Sequence, residues 1–216
     1  DDYWHRPDKL QRQVDYLETD PEAGMVFTDC YGYYDKSKKM NKGGRYGGGY
    51  RSVAKFDIEQ IIGYDRINNW PWTCTVMGRR NLFEKLIESD PYLHKDERLL
   101  LGDVQLWAEM ASISEVVYIP ESMATYRIAN ESATNTNNLR KFLLFGISIS
   151  EMKMYVCDKY NLSRDIRNKA ESIWFDKTLQ LAFYDRNAEL ATELRKRKKG
   201  FTWKEWIRYL GAKNNL

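Results

Sequence analysis

The spacing of hydrophobic and polar positions changes near residue 138 and divides the chain into two regions. Residues 8–20 carry apolar side chains at helical spacing, and the apolar run at 24–30 predicts a buried strand directly after this helix. A helix followed at once by a buried strand is typical of α/β proteins. The same pattern predicts helices at 57–62, 82–88 and 97–111, and strands at 73–77, 116–119 and 123–128.

Beyond residue 138 only helical periodicity remains, which predicts helices at 142–160, 163–184, 188–198 and about 202–210. The segment 31–51 is rich in tyrosine, lysine and glycine and is expected to form a hairpin or a mobile loop. We therefore predict an α/β domain over residues 1–135 and an all-α region over residues 136–216.

Composition narrows the class of protein. With 43% hydrophobic residues, the 216-residue chain can bury a core, and a net charge of +3 does not suggest a nucleic-acid partner. Three widely spaced cysteines exclude a disulfide framework or a zinc knuckle and indicate a reducing compartment, so we expect a cytoplasmic protein. The only two histidines, His5 and His94, are expected at the surface without partners.

Three sequence blocks carry the candidate chemistry. The first comprises Asp1-Asp2-Tyr3-Trp4, the Pro-Asp-Lys-Leu-Gln segment at 7–11 and the apolar run at 24–29. The second is Thr-Cys-Thr-Val-Met at 73–77, followed by two arginines. The third is Gly-Asp-Val-Gln-Leu-Trp at 102–107, followed by Tyr-Ile-Pro-Glu at 118–121 and Tyr-Arg at 126–127. Together, in this order, they resemble inverting family 2 glycosyltransferases.

The resemblance implies a GT-A-type mixed sheet with flanking helices. It implies inverting transfer of a sugar from a nucleotide-diphospho-sugar to a hydroxyl of a glycan or lipid-linked acceptor, in the style of bacterial surface-polysaccharide enzymes. Asp103 would be the catalytic base, and Asp1 and Asp2 would lie at a Mg²⁺ or Mn²⁺ ion. Where many relatives carry a histidine two residues after the Tyr-Arg pair, this chain has Ala129.

The residues themselves leave other roles open. Most adjacent aspartates are solvated turn residues, and a Gly-Asp pair before an apolar run is a common helix N-cap, a role compatible with catalysis. The family's nucleotide-binding half would lie upstream of Asp1. The present chain is therefore expected to bind nucleotide poorly and to dimerise through unpaired strand edges at 25–30 and 73–77. The alternative is a non-catalytic fragment or binding module that retains only the acceptor face.

Aromatic and basic side chains are the candidates for binding donor and acceptor. The set is Trp4, Trp70, Trp72, Arg79, Trp107 and Arg127. Trp70 and Trp72 flank a proline in a loop and suit stacking on a sugar or lipid carrier, whereas the helical Trp107 is also typical of a core. Arg127 could hold a diphosphate or form a surface ion pair.

The C-terminal segment 195–213 has eight basic residues and one acidic residue, interleaved with aromatic and aliphatic residues. This composition suits the surface of an anionic membrane. Nucleic acid or a partner groove could use the same residues, and a terminal helix could instead pack its tryptophans inward and expose a basic face. We expect a peripheral contact at the inner face of the membrane.

Overall fold

The computed structural model describes residues 2–43, 52–63, 70–129 and 136–214. The chain divides into two compact units, Asp1–Asn130 and Glu131–Leu216. Within the described residues the first unit is α/β and the second contains helices only.

The strands are β1 (Tyr3–Trp4), β2 (Ala23–Tyr34), β3 (Lys39–Asn41), β4 (Ala54–Phe56), β5 (Val76–Gly78) and β6 (Glu115–Ile128). The helices of the first unit are α1 (Lys9–Thr19), α2 (Ile58–Ile62), α3 (Arg80–Ser89), α4 (Pro91–Lys95) and α5 (Val104–Ile113), with a 3₁₀ turn at Thr73–Thr75. The second unit contains α6 (Leu139–Lys159), α7 (Arg164–Tyr184), α8 (Ala188–Arg197) and α9 (Trp203–Asn214).

A mixed sheet forms the centre of the first unit, as the predicted α/β class requires. Its two long strands, β2 and β6, run parallel, while β1 and β4 pair antiparallel with β6, and β3 and β5 pair antiparallel with β2. Residues 23–30 are all buried, including the polar Thr28 and Asp29, so the predicted buried strand is confirmed. The expected unpaired edge is wrong at residues 25–27, because this part of β2 pairs with β6 on one side and with β5 on the other.

Strand β6 crosses Pro120 without ending. The sequence predicted two strands here, but the structure has one strand with an irregularity. Thr28 pairs with Ile119, whereas the next residue of β2 pairs with Ser122. Proline has no N–H to donate to a neighbouring strand, so the pairing skips it as a bulge and then resumes.

Each face of the sheet packs against a different cluster. On one face Leu17 of α1 joins Val26, Val117, Ile119 and Met123. Elsewhere in the core three aromatic rings meet, with Phe27 lying 5.2 Å from Phe56 and 5.1 Å from Tyr118 between ring centroids. This alternation along β2 and β6 follows from the two-residue period of a strand.

Several predicted elements of the first unit have different bounds in the structure. The strand expected at 73–77 begins as the 3₁₀ turn, so that only β5 is extended. The helix expected at 97–111 begins at Val104, and α4 has no counterpart among the predicted elements although Asp90 caps it and Pro91 opens it. The segment 31–51 contains the end of β2 and β3 as a hairpin, while residues 44–51 lie outside the described residues.

The helices of the second unit agree with their predicted positions to within a few residues at each end. Side chains of Asn138, Ser163 and Asn187 cap α6, α7 and α8. Buried residues of α7, α8 and α9 form one core: Phe175, Leu179, Ala182, Ala191, Leu194 and Ala212. Among the described residues, none of the helices is both long enough and apolar enough to cross a bilayer.

Candidate functional site

A cavity of about 460 Å³ opens at the carboxyl ends of the parallel strands β2 and β6. It is lined by Asp2, Asp35, Tyr126, Arg127 and Ala129. In open α/β sheets, ligands bind outside the carboxyl ends of the parallel strands, where loops converge and strand pairing ends. The cavity is therefore the candidate site of this unit.

Arg127 joins the two carboxylates of the cavity. Its Nε donates to Asp35 Oδ2 at 2.9 Å, and its backbone N–H donates to Asp2 Oδ1 at 2.8 Å. The hydrogen bond from Arg127 lowers the pKa of Asp35 below its usual value, so this carboxylate is ionised at neutral pH. The result is a site with two carboxylates beside one guanidinium.

Asp35 belongs to this site, although no sequence block pointed to it. The residue follows β2 directly, and its backbone N–H donates to Ile128 O at 3.1 Å, which fixes it beside the end of β6. Its side chain is 11% exposed, and its buried Oδ1 forms an ion pair with Lys38, whose Nζ lies 3.7 Å away. The only sequence signal for it would be its position after a buried strand, and that signal needs the strand order.

The 3₁₀ turn and the preceding Trp72 connect the cavity to the predicted base. The centroids of the Trp72 and Tyr126 rings lie 4.2 Å apart, and the thiol of Cys74 lies beside the carboxylate of Asp2, which helps to raise the pKa of that thiol. Between them, Thr73 Oγ1 donates to Asp103 Oδ2 at 2.5 Å. One short segment thus contacts Tyr126, Asp2 and Asp103 through successive residues.

Asp103 is the N-cap of α5, as the Gly-Asp pattern indicated. Its Oδ1 accepts from the backbone N–H of Val104 at 2.8 Å, while Oδ2 accepts from Thr73. The side chain is half-buried, and the neighbouring Gly102 borders open space, since a Cβ at that position would meet no described atom within 4 Å beyond its chain neighbours. Each carboxylate oxygen has two lone pairs, so each can accept a further hydrogen bond.

The buried polar side chains of Lys9 and Gln13, on α1, connect to the 3₁₀ turn by hydrogen bonds. Lys9 Nζ donates to Gln13 Oε1 at 2.6 Å, and the amide of Gln13 donates to the carbonyls of Val26 at 3.0 Å and Thr75 at 2.9 Å. The α1 helix thereby ties the turn to β2. The Pro-Asp-Lys-Leu-Gln segment predicted only that α1 begins here, not that it holds this turn.

Trp4 also contacts the 3₁₀ turn. Its indole N–H donates to the carbonyl of Cys74 at 2.9 Å, and Lys9 Nζ lies 4.6 Å from the centre of its ring. Burial lowers the pKa of Lys9 to about 8. Burial, reinforced by the charge of Asp2, raises the pKa of the Cys74 thiol to about 12, so that this cysteine is not a thiolate nucleophile at neutral pH.

The structure does not bring all predicted site residues together. Arg79 lies at the opposite end of β2, where its guanidinium donates to the carbonyls of Ala23 and Leu17. Trp107 is 5% exposed and packs its ring 5.8 Å from Phe83 in the core. Trp70 is half-buried, and Asp1 lies outside the described residues.

Both histidines have partners, and the prediction of a surface position is wrong for His94, which is buried, whereas His5 is half-buried. His5 stacks on Tyr31 with ring centroids 4.6 Å apart, and its Nε2 lies 2.9 Å from Ser122 O. The side chain of His94 is 3% exposed, and its Nε2 lies 2.5 Å from a carboxylate oxygen of the fully buried Glu109. This pair joins α4 to α5, the helix that Asp103 caps.

The donor atoms of the cavity are of the kind that Mg²⁺ and Mn²⁺ prefer. Asp2 and Asp35 both contribute carboxylate oxygens, which are hard ligands. Among the described residues, no three His, Cys, Asp or Glu side chains form a group that could hold a metal ion.

A comparison of the chain with models of known protein families and with curated proteins finds no match.

Proposed function

We propose that this chain is the acceptor-side part of an inverting glycosyltransferase, with Asp103 as the general base. The observation that carries the proposal is the segment 72–74, which contacts Asp103 on one side and the cavity residues Asp2 and Tyr126 on the other. Inverting transfer needs a carboxylate on one side of the anomeric carbon and stabilisation of the leaving group on the opposite side.

The base would act on the acceptor. Asp103 would take the proton of the attacking hydroxyl while the oxygen forms its bond to the anomeric carbon and the bond to the diphosphate breaks. Thr73, which donates to Oδ2, and the backbone N–H of Val104, which donates to Oδ1, fix the carboxylate in one orientation. Such positioning lets a base act without first reorganising.

The diphosphate side would lie at the cavity. Arg127 offers forked donors suited to phosphate oxygens. Asp2, together with Asp1, would hold Mg²⁺ or Mn²⁺, which when bound neutralises charge on the leaving nucleoside diphosphate. The paired rings of Trp72 and Tyr126 and the half-exposed ring of Trp4 offer flat apolar surfaces for a sugar or base.

The substitution Asp103→Asn tests the base. Asparagine is nearly isosteric and can still cap α5, so we expect donor binding to persist while transfer falls roughly 10²–10⁴-fold. The assay uses the entire encoded protein with UDP-, GDP- and dTDP-sugars and follows release of the nucleoside diphosphate with Mn²⁺ present. Asp57→Asn is the matched control, since Asp57 also caps a helix, accepting from Gln60 N at 2.7 Å.

Calorimetry with the same donors, with and without Mn²⁺, separates transfer from binding alone. Donor binding without turnover in the unmodified protein would favour a binding module. Unaltered turnover in Asp103→Asn would leave Asp103 with the capping role only. Equal losses in Asp103→Asn and Asp57→Asn would assign the effect to helix capping instead of proton transfer.

A further inference from the structure

The outward face of α9 is apolar. Its most exposed large hydrophobic side chains, with their exposed fractions, are Trp203 (69%), Ile207 (56%), Leu210 (46%) and Trp206 (38%). At 100° per residue these four positions occupy about a third of the helix circumference. They form a continuous stripe, which we call the α9 stripe.

The opposite face of α9 holds the helix on its own unit. Ala212 belongs to the buried core, Arg208 pairs with Asp176 at 2.5 Å, and Glu205 pairs with Lys198 at 2.6 Å. These contacts anchor the helix without the α9 stripe. The alternative in which the tail packs its tryptophans inward fails for Trp203 but holds in part for Trp206, whose ring lies 5.5 Å from that of Phe201. The packing of α9 gives no reason for Trp203, Ile207 and Leu210 to be apolar.

Two lysines flank the α9 stripe. Lys204 and Lys213 lie on its two flanks by helical spacing, and the exposed Lys196 and Lys199 lie in and just after the neighbouring α8. Within 195–213 the single acidic residue, Glu205, is buried against Lys198. The exposed charge of this segment is therefore positive only.

We propose that α9 is an interfacial helix that docks this unit on an anionic phospholipid bilayer. Tryptophan and aliphatic side chains would enter the boundary between headgroups and acyl chains, while the flanking lysines contact lipid phosphates. A purely apolar patch would not require these cations, and a purely basic patch would not require exposed aliphatic residues. The proposal does not depend on the transfer reaction.

Two other occupants fit these residues less well. Nucleic acid would engage the lysines and could stack on tryptophan, but it offers nothing apolar to Ile207 and Leu210. A second copy docking through the same stripe would bring the flanking lysines of both copies to one interface, and charged residues are depleted at the core of such interfaces.

Vesicle flotation tests the proposal directly. The unmodified protein should bind vesicles of phosphatidylglycerol and phosphatidylcholine at low salt, and bind pure phosphatidylcholine at least tenfold more weakly. The double substitution Trp203→Ser with Ile207→Ser should weaken binding to the anionic vesicles at least tenfold, because two large apolar side chains no longer leave water. Ile113→Ser is the matched control, as Ile113 is a helical isoleucine of similar exposure (45%).

Two further experiments test separately the role of the lysines and the depth at which α9 enters the bilayer. Lys204→Gln and Lys213→Gln should each weaken binding roughly fivefold, the worth of one lysine at an anionic surface. Lipids brominated near the headgroup should quench tryptophan fluorescence, and Trp203→Phe, which keeps an apolar ring at this position, should reduce that quenching, with Trp206 as the remaining tryptophan of the stripe. Because Trp203→Phe retains binding, it tests the orientation of α9 independently of vesicle affinity.

Three results would overturn the proposal. The first is no binding to anionic vesicles, or binding that the double substitution leaves unchanged. The second is tighter binding to single-stranded oligonucleotides than to vesicles, abolished by the same substitution. The third is a dimer, seen by light scattering, that dissociates in the double variant, since this would assign the α9 stripe to a second copy.

Discussion

The two units present candidate contact surfaces of opposite chemistry. At the cavity of the first unit, polar side chains are held together, with Asp2, Asp35 and Arg127 joined by hydrogen bonds. On α9 of the second unit, large apolar side chains face outward. Folding favours apolar residues inside, so the exposed apolar side chains of α9 indicate where a partner acts. In the first unit, the indication is instead a cavity in which charged side chains converge. The first unit suits a polar ligand and the second an apolar surface.

Each unit also buries one lysine, which offers a way to sharpen this comparison. Lys9 in the first unit and Lys153 in the second are each 1% exposed, and burial lowers the pKa of each to about 8. In the unfolded chain a lysine keeps a pKa near 10.5. Between these pH values the unfolded state binds more protons, so each lysine makes the free energy of unfolding rise with pH.

We predict that Lys9→Met and Lys153→Met each remove part of this rise. The difference in free energy of unfolding between the unmodified chain and either variant should change by about 3 kcal/mol between pH 8 and 10.5. This is the change that proton linkage gives for these pKa values. Urea denaturation at pH 7.5, 9 and 10.5 measures it. Lys85→Met, at an exposed position of α3, is the control. Equal pH slopes in all four proteins would contradict the assigned burial.

Packing tolerance should differ between the two units as well. A Cβ added at Gly24 of β2 would meet Ser114, a short side chain whose Oγ is held by Met110 O at 2.9 Å. A Cβ added at Gly146 of α6 would meet only the flexible end of Lys177. We expect Gly24→Ala to lower the free energy of unfolding by about 2 kcal/mol, through overpacking.

Gly146→Ala should instead leave stability unchanged or raise it by up to about 1 kcal/mol, because alanine favours a helix over glycine. Urea denaturation of both variants at pH 7.5 provides the measurement. A larger loss for Gly146→Ala than for Gly24→Ala would reverse the comparison and show that the helical unit is the less adaptable one.

The smallest effect on stability is expected at the cavity itself. Arg127 pairs with Asp35 at a partly exposed site, where ion pairs contribute little to folding. We predict that Arg127→Gln shifts the melting temperature by less than about 2 °C but weakens binding of UDP with Mn²⁺ at least tenfold in the entire encoded protein.

Arg80→Gln is the matched control for this change, because Arg80 also pairs with a carboxylate, Glu84, at 2.6 Å, on the surface of α3. Calorimetric titration and thermal melting distinguish the two positions. A melting temperature that falls strongly only in Arg127→Gln, with unaltered nucleotide binding, would make the cavity charges structural.

Most helices could be predicted because their signals are local. The 3.6-residue period over α6, α7 and α8, with Asn138, Ser163 and Asn187 at their first turns, depends only on neighbours in sequence. The buried strand at 24–30 and the cap at Asp103 were visible for the same reason. Elements whose bounds depend on partners, such as β6 across Pro120, were not.

The site itself was predictable only in part. Asp2, Asp103 and Arg127 were named from sequence blocks, and Trp72 was named as a loop aromatic beside a proline. Arg79 and Trp107, also named from the blocks, pack against backbone carbonyls and in the core instead. Asp35 could not be found, because its role arises from the parallel pairing of β2 with β6. Sequence separation gives no measure of such proximity.

The sequence by itself determined the α/β class of the first unit, the helices of the second and the basic, aromatic character of the tail. Local periodicity and composition carry that information. Tertiary structure alone decided that Thr73 meets Asp103, that His94 is buried against Glu109 and that Trp203 points outward. These outcomes depend on which faces of distant elements pack together. That packing is determined by the burial of apolar surface across the whole core, not by neighbours in sequence.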